Sequence, residues 1–291
     1  MRLGCCLVSS DLNPLYLDFF PVVRRVWLDL VGIPVRLALV SDRLPHALRE
    51  FADDVILFPP INGVNTAFQA QCLRLLLPAV MNDQNSGEAV LTSDMDMLPM
   101  NRQYYTNPIA DLADDSFVVF RSNVLMRNSQ IAICYNAASP DTWSALMGGI
   151  ASIDAVRQRL AQWATAHNRY DGRHGGAEWD ADQRLLFDSV AHWKQTVGSS
   201  RVVLLDDQRA GFRRLDRDDL MRAGELSESQ AQDISAHRFT DYHMMRPYGR
   251  YRAINRQIAG MVLGDCAPHG VRLRAPFFRA VLHRLRRLAR S

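Results

Sequence analysis

Lysine is almost missing from this chain: Lys194 is the only one, so nearly every basic side chain is an arginine. No run approaches the roughly eighteen apolar residues that a membrane-crossing helix needs. The apolar stretch inside Met1 to Ser10 is too short for a signal peptide and flows straight into structured sequence. The five cysteines, Cys5, Cys6, Cys72, Cys134 and Cys266, have no paired spacing, which excludes a zinc site of the paired-cysteine type. They read as buried, reduced thiols of a cytosolic protein. Internal repeats and low-complexity linkers are absent. The basic residues have no patterned aromatic platform beside them, so nucleic acid is not an expected partner.

What is present fits a soluble globular protein: 291 residues, 48% hydrophobic and 22% charged, enough for one large α/β domain or two small ones. The net charge of +3 is unevenly spread, because the last twenty-one residues hold seven arginines and no acid. The body is therefore mildly acidic.

The most informative stretch is Ala89-Val-Leu-Thr-Ser-Asp-Met-Asp-Met-Leu-Pro99, an apolar run of strand character ending in two carboxylates. Side chains two apart in an extended segment share a face, so Asp94 and Asp96 can converge on one ligand. Neighbouring carboxylates repel unless a cation lies between them. A hard divalent ion, Mn²⁺ or Mg²⁺, shared with a substrate diphosphate is the usual resolution. Asp180-Ala-Asp182 and Asp216-Arg-Asp218 repeat the spacing, the first in a helical stretch and the second in a charged turn, so neither follows a buried strand. Capping of the next segment is the plainer role for Asp94 and Asp96.

Along the chain, Leu3 to Val8 reads as a first strand and Ser9 to Pro14 as the loop after it. Helical spacing from Pro14 to Val31, strands at Val35 to Val40 and Val55 to Phe58, and a short helix at Leu44 to Phe51 give an alternation that predicts a mostly parallel sheet covered on both faces. Ligands collect outside the carboxyl ends of such strands, which makes Ser9, Asp11 and Asp42 candidate donor contacts. A helix from Asn65 or Thr66 to Val80 carries Gln71 and Arg74 on one face. Further strands are expected at Ser116 to Phe120, Ile131 to Tyr135 and Arg201 to Leu205, with helices at Asp141 to Met147, Ile153 to Ala166 and Trp179 to His192. The 169–176 loop reads as a connector with an exposed His174, and 206–233 as turns and surface. From Phe277 the apolar residues at 277, 278, 281, 282, 285 and 288 leave Arg279, His283, Arg286, Arg287 and Arg290 on the other side of a helix. That pattern suits an anionic membrane surface contacted through residues 276–291, with docking on the domain or a frayed end as the alternatives. Two regions follow, 1–262 and a basic tail 263–291.

Four segments in this order resemble the GT-A glycosyltransferases, most nearly the retaining family that includes glycogenin and bacterial lipopolysaccharide galactosyltransferases. Gln71 to Pro78 is similar to that family's Arg-bearing helix, Val90 to Leu98 to its Asp-x-Asp strand, Ile131 to Asn136 to the strand whose Asn faces the donor sugar, and Trp179 to Leu186 to its Asp-Gln helix. His243 with Arg246-Pro247-Tyr248 resembles the family's late His and basic-Pro-aromatic group, although the spacing is shorter and a glycine is missing, which leaves His237 as a second candidate. The resemblance implies a GT-A fold and transfer of a sugar from a nucleotide-diphosphate donor to a hydroxyl of a glycan or glycolipid. It implies Asp94, Asp96 and His243 as ligands of Mn²⁺ or Mg²⁺, with Ser9, Asp11, Asp42, Gln71, Arg74, Asp94 and Asn136 on the donor. Asp182, Gln183 and Asp180 are then expected at the reacting sugar, with retention. Were the enzyme to invert, Asp180, Asp182 or Glu178 would be the base. A nucleotidyltransferase lacks its glycine-rich basic loop here, since Ser9 to Pro14 has neither glycine nor basic residue. An inactive scaffold of the same fold is the alternative from another class. The expected location is the cytoplasm, peripheral on the inner face of a membrane.

Overall fold

The computed structural model of the protein describes residues 1–81, 88–124, 126–207, 211–265 and 271–272. Cys266 and the expected membrane-facing helix of residues 276–291 lie outside the described residues. Cys5, Cys6, Cys72 and Cys134 form no disulfide, and burial pushes the thiols of Cys6 and Cys72 up. Among the described residues no helix is long and apolar enough to cross a membrane.

Among the described residues the strands are β1 (Leu3–Ser10), β2 (Val35–Val40), β3 (Val55–Phe58), β4 (Ala89–Thr92), β5 (Met97–Pro99), β6 (Phe117–Val119), β7 (Asn136–Ala138), β8 (Val202–Leu204), β9 (Arg213–Leu215), β10 (Glu225–Leu226), β11 (Phe239–His243) and β12 (Val271–Arg272), which pairs with β10. Seven of them make the central sheet in the order β3-β2-β1-β4-β7-β6-β8. All neighbours run parallel except at β7, which is antiparallel to both β4 and β6. Both faces are covered, as the alternation of strand and helix predicts. Within β2, Val35, Leu37 and Leu39 point into one core and Ala38 and Val40 into the other, the period of two expected for a strand buried on both sides. Trp27, Tyr105 and Tyr135 pack together in the first core, and Trp143 fills the second with its indole nitrogen donating to the Val90 carbonyl.

The chain leaves β1 toward β2 and β3 on one side, then returns to lay β4 on the other. This reversal opens a crevice between the carboxyl ends of β1 and β4, the place where open α/β sheets take ligands. Asn65 caps the Thr66–Leu76 helix through its side-chain oxygen on the Ala67 amide, which aims that helix along the crevice.

A second, three-stranded sheet, β5-β11-β9, completes the neighbourhood. In the antiparallel β5–β11 pair His243 lies opposite Met97, so the residue before β5, Asp96, and the last residue of β11 become neighbours. The Met244 amide closes the pair on the Asp96 carbonyl at 2.9 Å.

Three expectations are corrected here. The run from Pro14 to Val31 is a short helix at Pro14–Leu17, a new one at Phe20–Val26 and a π-turn at Trp27–Val31, because Pro21 favours a fresh start and Gly32, at φ +86°, ends the last turn. Ile131 to Tyr135 is a buried connection, and the strand follows it at Asn136–Ala138. Its apolar residues serve burial, and Asn136 Nδ2 holds the curve by donating to the Ala132 and Ile133 carbonyls. The 206–233 stretch contains β9, β10 and the helices Arg217–Ala223 and Glu228–Ser235, with Leu215, Leu220, Leu226, Ala231 and Ile234 buried. Those five apolar side chains are spread thinly among charges, which conceals their helical spacing.

The loop after β11 is fixed from below by Asn255, a fully buried residue of the Tyr248–Leu263 helix. Its Oδ1 accepts from Tyr242 Oη and the Met245 amide, and its Nδ2 donates to the Met245 carbonyl at 3.0 Å. Replacing Asn255 by Leu strands three polar groups away from water, so we expect a loss of roughly 3 kcal/mol in chemical denaturation. A loss below about 1 kcal/mol would show that the loop is held elsewhere.

Candidate active site

The crevice is a cleft of about 300 Å³ lined by the ends of β1 and β4, the Thr66–Leu76 helix, the start of the Ala181–Val197 helix, Arg217 and the loop after β11. Its floor is an ion-paired triad. Arg74 donates through Nη1 to Asp94 Oδ1 and through Nη2 to Asp182 Oδ2 at 2.7 Å. Asp182 is 1% exposed and Asp94 34%. Burial opposes the Arg74 charge, yet the two carboxylates more than offset it and raise its pKa. Asp182 goes up as well, because burial outweighs the share of Arg74 it receives. Its Oδ1 accepts from the Gln183 amide at 2.9 Å.

The opposite wall is cationic and converges on Asp96, which is 4% exposed. Its Oδ2 lies 3.0 Å from Arg217 Nη1, 3.2 Å from His243 Nε2 and 3.3 Å from Arg246 Nε. Burial alone would raise the Asp96 pKa; the His243 hydrogen bond and the charges of His243, Arg246 and Arg217 hold it well below the ordinary carboxylate range. Asp94 and Asp96 therefore both face the cleft. They get there through a turn, since β4 ends at Thr92 and the Met97 amide bonds back to the Asp94 carbonyl.

The Arg169 to Asp180 loop is more than a connector. Gly172, His174 and Trp179 line the cleft. Gly172 has φ +72° and lies so close to Asn65 that a Cβ would come within 2.7 Å of Asn65 Nδ2 in its side chain. Arg246 reaches across, donating to Tyr16 Oη at 2.9 Å and to His174 Nε2 at 3.1 Å, while His174 Nδ1 stands 3.3 Å from Tyr16 Oη. Tyr16 and Tyr170 both stack on Trp179. Burial, then Arg246, lowers the His174 pKa, which keeps the ring neutral and able to accept.

The expected site residues divide clearly. Asp11, Gln71, Arg74, Asp94, Asp96, Asp182, Gln183 and His243 line one cleft, as does Ser9, whose hydroxyl is spent on the Ala70 carbonyl. Asp42 is exposed at the end of β2 and outside the lining. Asn136 is buried behind it, and Asp180 turns away to Arg184 and Gln130. Glu178 faces Arg169. His237 binds the Met100 carbonyl away from the cleft, which leaves His243 beside Asp96. Arg217, His174 and Tyr16 were not singled out for the site in the sequence. An aspartate N-cap at Asp216 ahead of buried Leu220 was the available signal for the helix bearing Arg217.

Among the described residues no three His, Cys, Asp or Glu side chains form a ready-made metal cage. Asp94 Oδ2 and Asp96 Oδ1 nevertheless have no protein partner there. Two open carboxylate oxygens beside an imidazole are a donor set that fits Mg²⁺ or Mn²⁺ completed by substrate phosphate.

Two outcomes test this geometry. Arg74→Met leaves Asp182 buried without its cation and should cost roughly 3–5 kcal/mol of stability, most of it recovered in Arg74→Met/Asp182→Leu, by denaturant titration. The His174 contact is the second. With the folded pKa lowered, its contribution is present above the usual 6.5 and is lost as pH falls through the lowered value. Arg246, Arg217 and His243 face the ring and oppose its protonation, and Asp96 favours it. Hydrogen exchange of residues 169–180 should accelerate on acidification, and His174→Gln should flatten that dependence; equal pH profiles would rule the contact out as the cause.

No family model matches this chain, and no curated protein does. Solved structures with a similar fold include the glycosyltransferase GlyE of Streptococcus pneumoniae TIGR4, at 12% identity and a TM-score of 0.47 over 91% of this chain and 63% of that one. An active-site mutant of LgtC is similar at 12% identity and 0.44 over 84% and 88%. A glycosyltransferase involved in glycosylation of the major capsid of PBCV-1 is similar at 8% and 0.43 over 87% and 99%. The chain spans less than two thirds of the length of GlyE.

Proposed function

We infer that the cleft binds an activated sugar and transfers it: the protein is a glycosyltransferase using a nucleotide-diphosphate donor and a hydroxyl acceptor on a glycan or glycolipid. The observation that carries this reading is the polarity of the cleft. On one wall Arg217 and Arg246 face the single charge of Asp96, an excess of positive charge suited to phosphate. On the floor one arginine is shared by two carboxylates, and Asp94, 34% exposed, keeps Oδ2 free to accept. A ligand that satisfies both ends brings phosphates to the first and hydroxyl donors to the second, which describes a phosphate-linked sugar.

In this reading Asp94, the half-exposed carboxylate of the floor, orients the sugar by accepting from its hydroxyls, and Asp182 acts from behind by fixing Arg74. The metal would be held by Asp94, Asp96 and His243, and it supplies charge neutralisation at the departing diphosphate. Asp182 has both oxygens engaged, by Arg74 and by the Gln183 amide, while Asp180 and Glu178 point elsewhere. With Asp94 taken up by the metal, that leaves the floor without a free base and supports retention, with the acceptor's proton passing to the departing phosphate.

Thermal-shift measurements with UDP, GDP, CDP and TDP, with and without Mn²⁺, should single out one base. With the matching sugar donor, Asp96→Ala should lower turnover at least about a hundredfold while the fold survives. Failure of all four nucleotides to shift the melting temperature would sink the reading. A product with inverted anomeric configuration by NMR would remove only retention.

A further inference from the structure

We propose that Arg217, supplied by the helix after β9, is the principal phosphate-binding residue of the cleft, gripping a diphosphate with Nε and Nη2 while Nη1 stays anchored on Asp96. The proposal rests on the donor-site reading above and adds to it a residue that none of the matched motifs contains.

Arg217 keeps donors unspent where the other arginines of the cleft do not. A guanidinium has five N–H groups arranged as a rigid fork that matches two phosphate oxygens. Arg246 has its nitrogens committed, with Nε at Asp96, Nη1 on Tyr16 and Nη2 on His174. Arg74 is held between Asp94 and Asp182, and its Nε donates to the Gln71 carbonyl. Arg217 differs from both. Its Nη1 takes Asp96 Oδ2 at 3.0 Å and the Met244 carbonyl at 3.2 Å, and its other two nitrogens have no partner among the described residues. The side chain is only 14% exposed and lines the cleft, and neither nitrogen is sealed from solvent.

The anchoring also holds the fork in place. Asp96 is buried, and Met244 is the residue whose amide closes the β5–β11 sheet on Asp96, so Arg217 is braced by the same strands that present His243. A side chain so held loses little rotational freedom when a ligand arrives. Because guanidinium charge is intrinsic to the chain, binding of a diphosphate to this wall does not wait for a metal.

Inorganic pyrophosphate is the probe, titrated calorimetrically into the full chain in EDTA. The expected result is saturable binding that weakens at least about tenfold in Arg217→Ala. Arg217→Lys keeps a charge for Asp96 and loses the fork, so it should fall between the two; it decides the matter should the alanine variant fail to fold. Absence of binding in EDTA, or unchanged affinity in the lysine variant together with unchanged affinity in any folded alanine variant, overturns the proposal. Pyrophosphate binding that depends on Arg217 in a protein that transfers no sugar would defeat the transferase reading alone. Sugar transfer with pyrophosphate affinity indifferent to Arg217 would defeat this proposal alone.

Discussion

Everything in the cleft depends on the burial of one carboxylate. Asp96 is 4% exposed and could not remain charged there alone, since an isolated buried carboxylate is strongly disfavoured. It stays ionised because Arg217, His243 and Arg246 reach it from separate points of the chain. Those points are distant in sequence, so the fold must place all of them before the charge is tolerable. The small β5-β11-β9 sheet does that placing. Pairing β11 to β5 sets His243 at Asp96, and pairing β9 to β11 brings the helix carrying Arg217 alongside.

The other side of the cleft obeys the same electrostatics with the signs reversed. Arg74 is the buried cation, and Asp94 and Asp182 are its partners from β4's turn and from the Ala181–Val197 helix. Breaking either group exposes an uncompensated charge in a dry place, so the two clusters hold the sheet ends and their surrounding helices together as they hold the ligand-facing atoms. Stability and binding capacity are therefore drawn from the same side chains.

Much of this was legible in the sequence because the first half of the chain is locally consistent. Apolar runs of strand length, closed by Asn13-Pro14 after β1, Pro59-Pro60 after β3 and a Ser-Asp pair after β2 and β4, placed these strands and the Thr66–Leu76 helix, and with them Asp94, Asp96, Gln71 and Arg74. The Asp182-Gln183 pair entered only through its resemblance to the family's Asp-Gln helix, since a place in a first helical turn would by itself explain the carboxylate. What stayed hidden depends on contacts between distant segments. Nothing local distinguishes Arg217 from any other arginine in an acidic stretch, because its role comes from strand pairing between β9 and β11. His174 looks like an ordinary loop histidine until Arg246, seventy-two residues away, is seen beside it. Asn136 and Asp180 show the reverse case: the right residue types stand near the right elements, yet their side chains are used to fasten backbone and surface.

Arg246 is shared between two tasks. Its Nη1 donates to Tyr16 and its Nη2 to His174, which ties the 169–180 segment to Tyr16, and its Nε belongs to the wall that meets Asp96. A ligand that draws those Nη nitrogens toward itself must release the tie, and by thermodynamic reciprocity the tie weakens that ligand by the same factor. The 169–180 segment and any such ligand are then rivals for one guanidinium.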